Sequence, residues 1–557
     1  MVPTGDAARP SPVLGSRPRL GSLARPSAAW LWWLPVFFAG LYVLGALSDL
    51  HTILTAIYQN SDYAAAPVLA QLLAHAPSGS YTILGDHAYF EEFLALLLTR
   101  GLPLHRQLWF LAPVLFSIGG LAALLWSVAR AFGLWAAAIV GSALVCLGDL
   151  GLLDFFSWGA HGSAAVHAVV LAAALVWFVP RAHSLSWPKV SVGAAALGLF
   201  SALPTAGDRL FLVWGLVPFV AATLLIAWRG RRPASERLAA FGLGTAAVTL
   251  IGGAVFAHAM SANGIGAYPP AANALLSFAT PAELARNTGT FLEAFTSLGG
   301  GDFFGLAATS AAAVATFVSG ALVLAALAVV LLDIKRRVSS AAPRSLGGDG
   351  AVDARSAYAA FWSLSLLISI SAYLLGSPAS SVSTAAYLLG AYVAVAALLP
   401  LLLLRGRTWK LVVVVAVCAF AVSANYRLHF EPLLPSSSPD ATTAAALARF
   451  ARSEHARYGY ADYWDAVTLT WQTDFKTEII PVADCGEPPS PLCEVHAVEL
   501  SSWYTPRSHV RSLLILDPLF PEVTRPAALG PPVASTTIGR LRVYVYPYDI
   551  ASRIGHG

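Results

Sequence analysis

Long apolar runs recur along almost the whole chain, and they constrain its fold more than any other feature. About eleven are found, each close to the ~20 residues that a helix needs to cross a bilayer. A transmembrane β-barrel would instead show strands of about 10 residues that alternate apolar and polar positions. The runs therefore predict an α-helical polytopic membrane protein. The predicted spans are 29–48, 108–129, 134–153, 161–180, 190–206, 209–228, 238–260, 304–332, 355–376, 381–404 and 409–425.

The composition agrees with this class of protein. Apolar residues make up 57% of the 557 residues and charged residues only 11%, against about 25% charged residues in soluble domains. The net charge of +4 comes mostly from short arginine-rich loops, and no nucleic-acid motif accompanies it. Residues 1–28 are rich in Pro, Arg and Ser, which predicts a disordered tail, and the first span is interpreted as an uncleaved signal-anchor.

The loops between the spans differ in their content of arginine and lysine. Basic residues precede the first span and follow the even-numbered spans, and such residues are typically cytoplasmic. This pattern predicts a cytoplasmic N terminus. It assigns the loops 49–107 and 261–303, and everything after Asn425, to the other side, here called the outer side. The basic residues are Arg9, Arg17, Arg19, Arg25, Arg130, Arg181, Lys189, Arg229, Arg231, Arg232, Arg237, Lys335, Arg336, Arg337, Arg344, Arg405, Arg407 and Lys410.

The segment after the last span is long enough for one small domain. A helical pattern over 442–458 precedes four short runs typical of strands, YGYADYW, EIIPVAD, SLLILDP and RLRVYVYPYD, which predicts an α/β fold. Cys485 and Cys493 flank a proline-rich loop in this domain. They favour a disulfide in an oxidising compartment over a metal pair, because no CxxC motif accompanies them. Cys146 and Cys418 lie in apolar runs and are interpreted as core residues.

The first outer loop, 49–107, is too long for a simple connection. Its segments 62–75 and 88–100 repeat apolar residues at helical spacing, which predicts amphipathic helices in the membrane interface. Asp62 opens the first segment, as either a helix N-cap or a functional carboxylate. The acids and the histidine that follow are Asp86, His87 and Glu91.

More polar groups stand at the outer ends of spans. Trp158 lies between the third and fourth spans and His161 begins the fourth, while Asp208 and Arg209 interrupt the apolar run between the fifth and sixth. Charged groups at membrane depth are costly and usually have a partner or a function. Since all of them are predicted on one side, we expect a shared hollow that opens outward. The alternatives are an Asp208–Arg209 ion pair and, for His167, a satisfied core histidine.

Several stretches of the chain resemble the GT-C superfamily of integral membrane glycosyltransferases, in a poorly characterised bacterial group. They are NSDYAAAPVLAQLL, HAYFEEFLALLLTRGLP, WGAHGSAAVHAVVLAAALVW, TAGDRLFLVWGLVP and, in the C-terminal domain, YGYADYWDAVTLTWQT. The long first outer loop with an Asp on an interface helix is similar to that architecture. After the disordered cytoplasmic tail over 1–28, the resemblance implies a catalytic transmembrane domain over 29–425 and an extracytoplasmic α/β domain over 426–557.

The resemblance also implies an activity. It is the transfer of a sugar from a polyprenyl-phosphate donor to a glycan, lipid or protein of the cell envelope, with inversion, on the outer face of the bacterial cytoplasmic membrane. Asp62 would be the catalytic base. The candidates for binding substrate are Asp86, His87, Glu91, Arg100, His105, Arg106, Trp158, His161, Asp208 and Arg209.

Other interpretations of the sequence stay open. A transporter or lipid flippase would also have many spans, but it would typically show inverted repeats. A non-catalytic scaffold for envelope assembly would use the C-terminal domain to bind its partner. A divalent cation is left open as well, because no ligand cluster has a characteristic spacing.

Overall fold

The structure of the protein is a computed structural model. It describes residues 33–48, 61, 64–65, 67–69, 71, 81–84, 91, 98, 105–156, 161–230, 232–268, 278–301, 311–339, 353–376, 382–430, 439–485, 492–495, 499–500, 502–520 and 523–555.

Helices dominate the chain up to residue 430, and they follow the apolar runs. Nine helices among the described residues are long and apolar enough to cross a membrane, or ten if one bent pair counts as a span. A shorter apolar helix precedes them, so that each of the predicted spans overlaps a helical element. The helices are α1 (Leu34–Ser48), α2 (His105–Phe132), α3 (Leu134–Val145), α4 (Asp149–Phe156), α5 (Gly162–Phe178), α6 (Trp187–Gly207), α7 (Val217–Arg229), α8 (Ala234–Ala262), α9 (Pro281–Leu298), α10 (Ala311–Ser339), α11 (Ala354–Leu375), α12 (Leu389–Leu403) and α13 (Arg407–Phe430).

The third predicted span, 134–153, corresponds to two helices joined by a sharp bend. α3 ends at Val145, and the chain turns by 112° into α4. In the turn, the backbone N–H of Gly148 donates to the carbonyl of Leu298 at 2.9 Å. A Cβ on Gly148 would lie 2.2 Å from the backbone nitrogen of Gly300. The bend therefore brings two backbones together at the end of α9, a closeness that only glycine permits.

The centre of the helical bundle is apolar on all sides. Every residue of α12 is buried, as expected for a helix that other helices surround completely. A π-helical turn, Leu212–Leu216, leads into α7 and places Trp214 against α12. A Cβ on Gly390 would lie 2.4 Å from the Trp214 indole ring. The glycine thus lets a large aromatic side chain, 1% exposed, fit beside the central helix.

The C-terminal part is an α/β domain, as the sequence predicts. Its seven-stranded sheet has, in order across the sheet, β10 (Ile554–Gly555), β5 (Leu492–Glu494), β4 (Glu478–Asp484), β3 (Ala456–Ala461), β7 (Arg511–Leu516), β9 (Leu541–Tyr546) and β8 (Ala534–Ile538). β3 lies between two parallel neighbours, β4 and β7. The predicted Cys485–Cys493 disulfide is confirmed and joins the end of β4 to β5. The other elements of the domain are α14 (Ala441–Ser453), α15 (Tyr463–Gln472) and β6 (Glu499–Leu500).

A second, three-stranded sheet joins the C-terminal domain to two loops of the bundle. β1 (Tyr81–Leu84) of the first outer loop pairs in parallel with β2 (Ile265–Tyr268), which follows α8. The other edge of β1 pairs antiparallel with β6 of the C-terminal domain. We call the end of the bundle where α8, α9 and α13 finish the domain end, because β2 and the C-terminal domain meet there.

The first outer loop also contacts the C-terminal domain through its segment 61–71. The described residues there are helical, as predicted, but their apolar side is buried against the domain. The buried residues are Ala64, Ala65, Val68 and Leu69, each no more than 2% exposed. They share an apolar cluster with Tyr460 and Val467 of the domain. The amphipathic pattern thus reflects a contact within the protein.

The close approach of α12 to Trp214 makes a prediction about stability. We expect Gly390→Ala to lower the free energy of unfolding by about 1–3 kcal/mol, because the indole ring cannot move without disturbing the core. Gly119→Ala is the matched control, since a Cβ at Gly119 meets nothing within 4 Å. Thermal unfolding of the purified protein in detergent measures both variants. Equal unfolding midpoints for the two would contradict the packing described.

Candidate functional site

A buried histidine–aspartate pair lies at the domain end of the bundle. Asp208 stands where α6 stops, and its Oδ1 accepts the backbone N–H of Leu210 at 2.9 Å, which turns the chain toward α7. Its Oδ2 lies 2.9 Å from Nδ1 of His161. The two side chains are 2% and 6% exposed. Asp208 therefore pairs with a histidine 47 residues away, whereas Arg209, its neighbour in the sequence, is exposed.

His161 is held in an unusual backbone conformation. It precedes α5 with a φ of 67°, a left-handed value that few residues other than glycine adopt. The imidazole ring lies 5.2 Å from the ring of Tyr387 and 6.2 Å from that of Trp214, between centroids. Asp154 of α4 is buried nearby and interacts electrostatically with His161. Strained backbone surrounded by fixed partners is common at functional sites.

A second buried pair ties the first outer loop to α5. Oε1 of Glu91 accepts from Ser163 Oγ at 2.8 Å and from Nε2 of His167 at 3.1 Å. The His167 ring packs on Phe200, with 4.1 Å between centroids. Glu91 Oε2 and His167 Nδ1 have no hydrogen-bond partner among the described residues. His167 is thus a buried histidine whose partner, Glu91, comes from a loop outside the bundle.

A buried arginine was not among the predicted site residues. Arg427 lies in α13, which continues to Phe430 and so passes the predicted end of the last span at 425. It is 7% exposed, and its Nη2 donates to the carbonyl of Gly299 at 3.1 Å. Its Nε has no hydrogen-bond partner, and no carboxylate of the described residues pairs with it. The signal available in the sequence was an arginine at the outer end of a span, where basic residues are uncommon.

Glycines make room for this guanidinium. Gly300 has a φ of 71°, and a Cβ there would lie 1.1 Å from Nη1 of Arg427. The Gly299–Gly300 turn that accepts from Arg427 is also the turn that Gly148 contacts. Three backbone segments of the domain end therefore meet at Arg427.

An apolar cavity begins beside the same turn. Its volume is about 140 Å³, and it lies between α3, α9, α10, α12 and α13. Val323, Tyr392 and Phe420 line it and also border the position that a Cβ on Gly299 would occupy. Farther along the bundle, Leu402 and Trp409 line it. An elongated apolar space thus extends along α12 and α13, from Leu402 and Trp409 to the side chains beside the Gly299–Gly300 turn.

The C-terminal domain has its own buried carboxylates, where β3 and β7 end. Asp517 Oδ2 accepts from Arg540 Nε at 2.6 Å, and Asp462 caps α15 through the N–H of Trp464. Burial, and then the nearby charge of Asp517, raise the pKa of Asp465 to about 8. Because Asp517 and Asp462 are engaged by Arg540 and by the start of α15, we assign these two carboxylates to the stability of the domain. Oδ1 of Asp465 is buried without a hydrogen-bond partner among the described residues.

The other predicted site residues cannot be compared with the geometry. Asp62, Asp86, His87, Arg100 and Trp158, and the side chains of His105 and Arg106, lie outside the described residues. The divalent cation has no site in the described part of the chain, where no three His, Cys, Asp or Glu side chains converge.

The chain is similar to solved structures of one enzyme class. No protein-family model and no curated protein matches it. The archaeal oligosaccharyltransferase AglB from Archaeoglobus fulgidus, in complex with an inhibitory peptide and a dolichol-phosphate, matches at 13% identity and a TM-score of 0.39. The Archaeoglobus fulgidus oligosaccharyltransferase tethered with an acceptor peptide matches at 13% and 0.42, and its apo form at 12% and 0.39.

These matches cover 81–82% of this chain but only 64–65% of the archaeal chains, so that this chain spans less than two thirds of their length. These neighbours are oligosaccharyltransferases. At such low identity and TM-score, the likeness is one of overall arrangement and gives no residue a role.

The Glu91–His167 pair makes a testable prediction. We expect Glu91→Ala to lower the free energy of unfolding by about 2–4 kcal/mol, because it leaves a buried imidazole unpaired. The first outer loop should also be cleaved faster by protease, since it loses its contact with α5. Glu236→Ala is the control, because Glu236 pairs only with the exposed Arg232. Unfolding midpoints and cleavage rates equal to those of the control would contradict the anchoring role.

Proposed function

We propose that the chain is a membrane glycosyltransferase that moves a sugar from a polyprenyl-phosphate donor to a cell-envelope acceptor. The single observation that carries the proposal is Arg427, a buried guanidinium that has no carboxylate partner among the described residues. A buried unpaired charge is costly, and an anionic ligand would offset that cost. A lipid phosphate combines such an anion with an apolar chain.

The surroundings of Arg427 support a ligand of this kind. The carbonyl of Gly299 accepts from Arg427. A Cβ on the same glycine would meet Val323, Tyr392 and Phe420, which also line the apolar cavity. The head and the first part of the tail of one lipid could therefore contact adjacent residues. Arginine suits this task because its planar guanidinium binds phosphate oxygens in pairs.

The proposed reaction is a displacement at the anomeric carbon of the donor sugar. The acceptor hydroxyl attacks that carbon while its bond to the phosphate oxygen breaks, and the electron pair leaves with the polyprenyl phosphate. The hydroxyl proton passes to the carboxylate of Asp62, the proposed general base. Attack opposite to the phosphate inverts the configuration. Arg427 stabilises the charge that develops on the leaving phosphate.

The remaining polar groups would bind the sugar. We propose this role for His161, whose orientation is fixed by the hydrogen bond between its Nδ1 and Asp208. Asp86, His87, Arg100, His105, Arg106, Trp158 and Arg209 stay predictions for substrate binding. The reaction would take place on the outer face of a bacterial cytoplasmic membrane, with a glycan, lipid or protein as acceptor.

The base assignment is tested by Asp62→Asn. We expect this variant to lose sugar transfer almost completely, by about 10²-fold or more, because an amide cannot accept the hydroxyl proton. It should still co-purify with lipid. The measurement combines transfer assays with a panel of polyprenyl-phosphate sugars and mass spectrometry of the extracted lipids.

Asp353→Asn is the matched control, because Asp353 is an exposed cap of α11 and asparagine caps equally well. Transfer at the wild-type rate by Asp62→Asn would refute the base assignment. A wild-type protein that holds only bulk phospholipid and transfers none of the sugars would refute the proposed function.

The phosphate-binding role is tested by Arg427→Gln. We expect kcat/KM for the donor to fall by about 10²- to 10³-fold, as when one preorganised donor to a developing anion is removed. Arg237→Gln is a close control, because Arg237 also donates to a backbone carbonyl, that of His183, at 2.6 Å and also has a buried unpaired Nε. It lies at the opposite end of the bundle. Equal kinetics for the two variants would count against the assignment.

A further inference from the structure

The first outer loop is held by the C-terminal domain immediately before its proposed base. Ser61 is 0% exposed, and its Oγ lies 2.5 Å from the carbonyl oxygen of Tyr463 and 2.7 Å from that of Trp464. Both carbonyls belong to the first turn of α15, and Thr468 Oγ1 is 3.4 Å away. A hydroxyl that is fully buried between two chain segments 400 residues apart fixes their relative position.

The residues after Ser61 strengthen this contact. Ala64, Ala65, Val68 and Leu69 recur at helical spacing from Ser61 and share the apolar cluster of Tyr460, Val467 and Trp471. The loop then pairs with β6 through Tyr81 and Thr82. The described residues around Asp62 are therefore attached to the domain, while Glu91, farther along, is attached to the bundle.

We propose that the C-terminal domain is part of the catalytic apparatus, with Ser61 as a positioning residue that acts through Asp62. This inference rests on the proposed function, and it adds that the bundle and the domain have separate roles in the reaction. In this division, the bundle binds the donor phosphate at Arg427, and the domain fixes Ser61, the residue immediately before the base. Domain and bundle must then stay docked in each turnover, because a shift of about 1 Å in a reacting group costs up to 10²-fold in rate.

The first test is Ser61→Ala. We expect kcat for sugar transfer to fall by about 10- to 100-fold, while KM for the polyprenyl-phosphate sugar changes less than about 2-fold, since donor binding is assigned to the bundle. Ser512→Ala is the matched control. Ser512 is equally buried and donates to the Tyr548 carbonyl at 2.8 Å within the same domain. It should lower domain stability without a comparable loss of kcat.

A second variant separates position from stability. Ser61→Cys combined with Thr468→Cys introduces two thiols where the hydroxyl oxygens are 3.4 Å apart. Oxidation should join the loop to α15 and restore kcat relative to the reduced form, with wild type treated identically as control. Wild-type kcat in Ser61→Ala, or kcat losses equal to those of Ser512→Ala, would overturn the positioning role.

Different results would refute the glycosyltransferase function and the positioning role of Ser61. A wild-type protein that transfers no sugar overturns the proposed function. The rate of amide hydrogen exchange in the segment 61–71 then tests whether Ser61 attaches the loop to the C-terminal domain. Faster exchange in Ser61→Ala than in Ser512→Ala supports the attachment, and equal exchange overturns it.

Discussion

The hydrogen bonds that Glu91 makes with His167 and Ser163 bring the first outer loop into the helical bundle. Burying a carboxylate is costly unless its partners are in place, so this contact strongly limits where the loop can lie. From that point the chain can be followed back to β1, which pairs with strands from two other regions, and to Ser61 on the C-terminal domain. One loop thus connects α5, β2 and the C-terminal domain, and the proposed site depends on that connection.

The two ends of the bundle use arginine differently. At the end opposite the domain, Asp333 accepts hydrogen bonds from both Arg337 and Arg405, and the buried acid is fully engaged. Arg427 at the domain end is as buried as that acid, yet among the described residues its side chain donates to a backbone carbonyl and pairs with no carboxylate. An arginine that only held helices together would be expected to pair with an acid, as Arg337 and Arg405 pair with Asp333. The unpaired guanidinium is better explained by a ligand that brings its own negative charge.

Sequence patterns predicted the helices and strands, which depend on residues close together in the sequence. Apolar runs located the helices, and period-two runs located β3, β4, β7 and β9, because each pattern expresses one local geometry. They could not predict that Asp208 pairs with His161 or that Gly148 turns the chain against Gly300, since both depend on contacts between distant segments. Arg427 was missed for a related reason, because the predicted last span stopped at 425, two residues short of it.

The centre of the bundle also helps to decide between a glycosyltransferase and the alternative interpretation as a transporter. A transport pathway needs polar groups at membrane depth, where substrate or ions must pass. α12 occupies that position, is buried along its whole length, and carries one polar side-chain group, the hydroxyl of Tyr392 near its domain end. The cavity beside it is lined by apolar side chains. A bundle closed in this way favours the proposed chemistry at one face of the bundle over transport through its centre.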